Sequence, residues 1–255
     1  MTNEEIAAEL ADAARNLEPI PAFSARGEAF SIEAAYDIQW LLVSGRLGDD
    51  ERLAGVKIGL TSLAKQRQLG LDAPVYGWLT DRMLMRSPAS IRLEEHIHPR
   101  VEPEIGFVLG APLDKPVTAD EALALTSAVF AAFEVVDSRY QDFKFGMADV
   151  VADNTSAAAV VMGQQVSTAG LDLAAICCSL KVNGMEVARA TGDAVLGHPA
   201  TAIGWVSGRL ALVGRPLPAG SIVLSGGLTD FVPLTAGDVV EAVFSDLGSV
   251  VARAL

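Results

Sequence analysis

Two glutamates, Glu102 and Glu104, lie two residues apart inside the otherwise apolar run VEPEIGFVLG at 101–110. Side chains of a strand alternate faces, so both carboxylates share one face while Val101, Pro103, Ile105 and Phe107 take the other. Their bases sit roughly 7 Å apart at about 3.3 Å of rise per residue, close enough to repel unless a cation joins them. A third carboxylate, Glu134, falls between Phe133 and Val135 in FAAFEVVDSRY. A carboxylate buried without a partner has its pKa pushed up at a cost of several kcal/mol, and a hard divalent cation relieves it. Mg²⁺, or Mn²⁺ in its place, takes about six oxygen ligands and leaves positions for water or substrate oxygens. His96 and His98 are read as flanking hydrogen-bonding residues, because imidazole suits softer metals. The same glutamate spacing also suits the solvated face of an edge strand, and on these residues alone both readings stand.

The elements that would position these groups are helices first and strands later. Ile6, Leu10, Ala14 and Leu17 predict a helix over 3–17; Ile32, Tyr36, Trp40 and Val43 predict a second over 31–46, with Ser31 as N-cap. AGVKIGLTS reads as a strand entering a turn and a third helix from about 62 to 69. Thr118 and Glu121 form a capping-box pattern before a helix expected to run through EALALTSAVFAA. From about residue 130, β-type runs dominate, punctuated by NG, GG and AGD turns. The expected class is α+β, with N-terminal helices packed beside a mixed, mostly antiparallel β core. The expected organisation is one unit over 1–255, mainly helical over 1–72 and β-rich over 73–255.

Composition narrows the function classes. A net charge of -13 argues against nucleic acid as partner, since that binding rests on clustered Lys and Arg neutralising phosphates. The most apolar windows, such as LALTSAVFAAFEVV, are broken by polar residues and fall short of the roughly 20 a membrane span needs. The acidic start, MTNEEIAAELADAARNL, carries no basic region followed by an apolar run, so a cytoplasmic location is expected. Cys177 and Cys178 are adjacent in a strand-like segment, point to opposite faces, and are expected to be buried free thiols.

VKIGLTS at 56–62, HPRVEPEIGFVLG at 98–110, FEVVDSRY at 133–140, VADNTS at 151–156, LGHP at 196–199 and the later AGSIVLSGG, AGD and LGSV together resemble the fumarylacetoacetate hydrolase superfamily over nearly the whole chain. A glutamate at the third ligand position, and AGSIVLSGGLTD where the hydrolases resemble GDVILTGTP, place the likeness in the hydratase and decarboxylase branch of aromatic meta-cleavage pathways. The resemblance implies a β core of the family's C-terminal type, a divalent metal on Glu102, Glu104 and Glu134, and a small 2-oxo acid substrate. It implies either decarboxylation of 4-oxalocrotonate (2-oxo-3-hexenedioate) or hydration of 2-hydroxypenta-2,4-dienoate. GLTSLAKQRQLGLDAPVYGWL, DSRYQDFKF and SGGLTDFVP lean toward decarboxylation. It further implies a homo-oligomer and a possible complex with the counterpart enzyme; a non-catalytic scaffold of the same fold is the rival of another class.

The likeness also assigns roles. Lys57 corresponds to the family's active-site lysine, an ammonium that would hold the substrate carboxylate or shuttle a proton. Ser156 would hydrogen-bond substrate, while Asp153 and Asn154 are candidates to fix their loop. Leu60 and Thr61 are expected in the pocket wall. Asp81 and Arg139 are candidate substrate-binding residues that suit structural ion pairs equally well. Gly226 and Gly227 would let backbone approach the substrate, followed by Thr229 as a binding candidate. His198, between Gly197 and Pro199, reads as entry to a helix rather than as chemistry.

Overall fold

The signals at the chain start are realised locally. In a computed structural model, which describes residues 1–62 and 73–255, Thr2 accepts from Glu5 N, and the Glu5 side chain returns to the Thr2 amide. This capping box opens α1 (Asn3–Asn16). Ser31 caps α2 (Ile32–Ser44) through Ala34 N. The buried stripe of α2 is Ala35, Ile38, Gln39 and Val43, while Tyr36 and Trp40 pack at its margin on Tyr76 and Trp78. Gln39 spends its amide on the carbonyls of Tyr76 and Val151, tying the helix to the elements behind it. The helix expected over 62–69 falls almost wholly outside the described residues.

Two mixed sheets follow. The first runs in the order β2 (Val75–Thr80), β1 (Leu53–Gly59), β10 (Ile222–Leu224), β5 (Arg100–Leu109), β6 (Thr126–Val136), β7 (Ala157–Met162), β3 (Leu84–Arg86), with the short β11 (Val232–Pro233) also on β5. The second runs β4 (Ala89–Ile91), β13 (Gly248–Ala254), β12 (Val239–Phe244), β8 (Cys177–Val182), β9 (Met185–Thr191). Among the described strands, β1 with β10, β3 with β7 and β4 with β13 pair in parallel. Residues of both sheets, with Ala202, Ile203, Val206 and Leu210 of a helix at Pro199–Leu212, share the largest hydrophobic cluster.

Two expectations are corrected here. The helix begun by the Thr118 capping box, α3, ends at Ala124, and β6 starts at Thr126. The run TSAVFAAFEVV is taken by the β5 ladder, where Val129, Phe130, Phe133 and Val135 are fully buried; β-branched and aromatic side chains pack better on a pleated, half-enclosed surface than on a short helix. The cysteines do face opposite ways, but only Cys178 is buried, and Cys177 at the start of β8 is exposed.

Candidate active site

Register brings the charged residues together. On β5 and β6, Glu102 and Glu134 are directly opposed, and Glu104 faces the small Ala132, which leaves room above it. Like charges directly across a ladder repel, so this arrangement asks for a cation. Lys57, on β1 two strands from β5, sends its ammonium to 2.8 Å from Glu134 Oε1. Both groups are almost completely buried, as is Glu104. One oxygen from each glutamate lies within 4.8 Å of the others.

Close backbone approach completes this floor. Beyond β10 the chain turns at Ser225 and Gly226, where the Gly226 amide donates to Glu104 Oε2 at 2.7 Å. Gly226 sits at φ +116°, and a Cβ there would meet Thr61 Oγ1 at 2.0 Å. At Gly227 a Cβ would meet Glu102 Oε2 at 2.0 Å, so that glycine keeps the carboxylate in place. Burial, then the neighbouring Glu134 and Glu102, holds the Glu104 carboxyl well above its ordinary range against the pull of the Gly226 amide and Lys57.

Among the described residues, Glu104 Oε1 and Glu134 Oε2 are buried and accept no hydrogen bond. Among the described residues, three carboxylates converge here on a single ammonium. That balance, two orphaned acceptors and an all-oxygen donor set fit a hard divalent cation of the Mg²⁺ type.

Above this floor opens a cavity of about 700 Å³. Lys57, Leu60, Thr61, Glu102, Ser156 and Gly227, all singled out in the sequence, line it. Its wall carries unusual backbone: Leu60, Asp142, Phe143, Thr155 and Ser156 all have φ between 54° and 58°. Non-glycine residues adopt this region at a cost of order 1–3 kcal/mol each, and such strain concentrates where side chains must be aimed. The 154–156 turn is held from behind by hydrogen bonds. Asn154 accepts from Trp78 N and donates to Trp78 O, Thr155 donates to Tyr76 O, and Ser156 donates to Asp153 at 3.3 Å. Asp153 and Asn154 thus fix the loop.

Three candidates lie elsewhere. Asp81 is exposed at the Leu53 end of the β1–β2 hairpin, accepting from Arg52 N; Gly59, at the cavity, is six residues away, roughly 20 Å along the strand. Arg139 is committed to the Asp153 carboxylate and to the carbonyls of Asp137 and Asp153, a buried structural pair. Thr229 turns its hydroxyl to the Asp230 carbonyl and does not reach the cavity wall. His198 accepts from Ala200 N as N-cap of the helix at 199–212, as its flanks suggested. His96 lies 3.6 Å from Asp137, whose two oxygens also accept from Ile97 and His98 amides, so the histidines flank the strand rather than join the carboxylates.

Arg100, Phe143 and Phe231, which the sequence reading passed over, also form the wall. For Arg100 a signal was present: residues 100, 102 and 104 share one face of β5. The placement of Phe143 and Phe231 depends on loops and left no periodic trace.

The fold and site meet a known family at this point. The model of the fumarylacetoacetate (FAA) hydrolase C-terminal family matches residues 56–254, and the chain belongs to that family. A 4-oxalocrotonate decarboxylase of Pseudomonas sp. (strain CF600) is 39% identical over 221 residues, 86% of this chain and 84% of that protein. A 2-hydroxyhexa-2,4-dienoate hydratase of Comamonas testosteroni is 38% identical over 244 residues, 94% of this chain and 92% of that one. The solved structure of 4-oxalocrotonate decarboxylase from Pseudomonas putida G7, complexed with magnesium and adipate, matches with a TM-score of 0.95 at 33% identity, over 99% of this chain and 97% of that chain.

Proposed function

We propose that the protein is a metal-dependent lyase that decarboxylates 4-oxalocrotonate to 2-hydroxypenta-2,4-dienoate. The observation that carries this reading is the convergence of Glu102, Glu104 and Glu134 within 4.8 Å beneath a substrate-sized cavity, with Lys57 in contact. The likeness to a decarboxylase at TM-score 0.95 supports the choice of reaction. Mg²⁺ on these three carboxylates would supply a Lewis acid at the 2-oxo acid end of the substrate.

The remaining work falls to this chain's own groups. In the reaction the C5–C6 bond breaks, its electron pair passes through the C3–C4 double bond to the C2 oxygen, carbon dioxide leaves, and one proton is taken up. Lys57 Nζ, fixed against Glu134, presents positive charge and a proton at the cavity floor, where negative charge develops. Ser156 fixes a hydroxyl on the wall. Phe143, Phe145, Val136 and Phe231 exclude water, and a drier site favours a step that disperses carboxylate charge.

Hydration of 2-hydroxypenta-2,4-dienoate is the second reading, favoured by relatives such as the hydratase that matches 94% of the chain. The purified protein with Mg²⁺ is offered each substrate in turn, following carbon dioxide release and loss of dienol absorbance. Carbon dioxide from 4-oxalocrotonate with little consumption of the dienol supports the decarboxylase; water addition to the dienol alone supports the hydratase. Glu104→Gln is expected to abolish metal binding and turnover together; a chain that turns over neither substrate yet still assembles with a partner enzyme would favour the scaffold.

A further inference from the structure

Arg100 shares a face of β5 with Glu102 and Glu104, and its guanidinium stands over the Phe143 ring at 3.7 Å and the Phe231 ring at 4.9 Å. Among the described residues the guanidinium makes no ion pair or hydrogen bond, although it lines the cavity of a chain with net charge -13. The other cation described on that wall, Lys57, is already engaged by Glu134. Asp142, on the same stretch of wall, is exposed and turned to Lys144 at 3.3 Å. An arginine fork stacked on aromatic faces but left without an anion is an arrangement suited to an incoming carboxylate.

The backbone beside Arg100 is strained. Asp142 and Phe143 take φ of 56° and 54° in succession, and this turn is what lays the Phe143 ring beneath the guanidinium. His98 packs on the same ring at 4.6 Å, and burial lowers its pKa. It therefore stays neutral near pH 7 and leaves Arg100 as the lasting charge.

We propose that Arg100, stacked on Phe143 and flanked by Phe231, is the specificity-determining residue that binds the distal carboxylate of a dicarboxylic 2-oxo acid whose other end lies at the glutamates. The inference rests on the metal and 2-oxo acid reading above and extends it to the class of substrate. Along β5, residue 100 is roughly 7 Å from residue 102 and 13 Å from residue 104. The terminal carbons of an extended six-carbon diacid lie roughly 6 Å apart, from five zigzag bonds of about 1.5 Å. A ligand of that length bridges the glutamate floor and the guanidinium. The solved P. putida G7 relative was obtained with adipate, a six-carbon diacid.

The chemistry of the leaving group sets the sign of the effect. The carboxylate held by Arg100 loses its charge as carbon dioxide departs, so the contact is stronger in the bound substrate than in the transition state. It contributes to recognition, and its loss raises KM without lowering kcat.

Two ligands isolate this contact: 2-oxohexanedioate and 2-oxohexanoate share length and 2-oxo acid head and differ in the distal carboxylate. Their Kd values are measured by calorimetry with saturating Mg²⁺, on the wild-type protein, Arg100→Gln and Arg100→Lys, each checked for an unchanged melting temperature. The wild-type protein is expected to prefer the diacid by about 10- to 100-fold, the range of a charge-assisted contact. In Arg100→Gln that preference should collapse to within about threefold while the monoacid Kd holds; Arg100→Lys, which keeps charge but loses the fork, should fall between. A preference retained in Arg100→Gln, or equal weakening of both ligands, overturns the assignment while leaving the metal reading intact. A wild-type protein that binds Mg²⁺ and the monoacid without preferring the diacid overturns it too. If the wild-type protein binds neither ligand with Mg²⁺ present, the 2-oxo acid reading itself fails and this inference with it.

Discussion

Replacing Lys57 by methionine keeps most of the side-chain volume and removes the ammonium that touches Glu134 at 2.8 Å. At an effective dielectric of about 20, charges that close attract by about 6 kcal/mol. Both partners are about 97–99% buried, so solvent screens the pair little. Desolvation offsets part of the attraction, and breaking a buried pair by removing one partner costs about 3–5 kcal/mol, because the other charge is left without compensation. In a chain of this size, that corresponds to a melting temperature lower by about 6–20 °C. The expected result in EDTA is a loss of this size in urea unfolding for Lys57→Met. The double variant Lys57→Met/Glu134→Gln should recover at least half of the loss, since the carboxylate that Lys57 touches is removed with it. Saturating Mg²⁺ should narrow the deficit of the single variant, while turnover stays low. If Lys57→Met costs under about 1 kcal/mol, or the two substitutions simply add, the floor of this site is not an electrostatic unit and the reasoning fails.

Three further outcomes follow from the same geometry. Gly227→Ala places a methyl group 2.0 Å from Glu102 Oε2, so Mg²⁺ affinity by calorimetry should fall by about 10- to 100-fold with the fold kept; unchanged affinity would mean that Glu102 is not a ligand. Asn154→Ala strips both hydrogen bonds from the Trp78 backbone, and should cost about 2–4 kcal/mol in urea unfolding. The raised pKa of Glu104 means that it favours the folded state fully below its unfolded value of 4.5 and loses that contribution as pH rises through the folded value. Asp153, raised by burial to about 6, acts with the same sign. Metal-free protein should therefore melt at progressively lower temperature from about pH 5 to pH 8, with the slope reduced in Glu104→Gln and the gain from Mg²⁺ growing with pH; an identical slope in Glu104→Gln would remove Glu104 as its source.

Much of this protein was written in local pattern. Period-two alternation put Glu102 and Glu104 on one face of β5, the capping residues Thr2, Ser31 and Thr118 started helices where they stand, and the Gly197–His198–Pro199 run marked a helix entry. These features depend on neighbours within a few residues, which a sequence displays directly. Other outcomes required partners far along the chain. The segment from Thr126 to Val136 became a strand because β5 offered it a ladder, and local propensity could not weigh that. Arg139 was lost to the site because Asp153 lay within reach, and Asp81 because the β1–β2 register set it at the far end of the hairpin. Three carboxylates became one site only when Glu134 was registered against Glu102 and Lys57 arrived from β1, more than 40 residues earlier in the chain. Residue type and spacing determined which groups could bind a cation; long-range register decided which of them meet, because an electrostatic site is defined by distances of a few ångström that only the packed sheets impose.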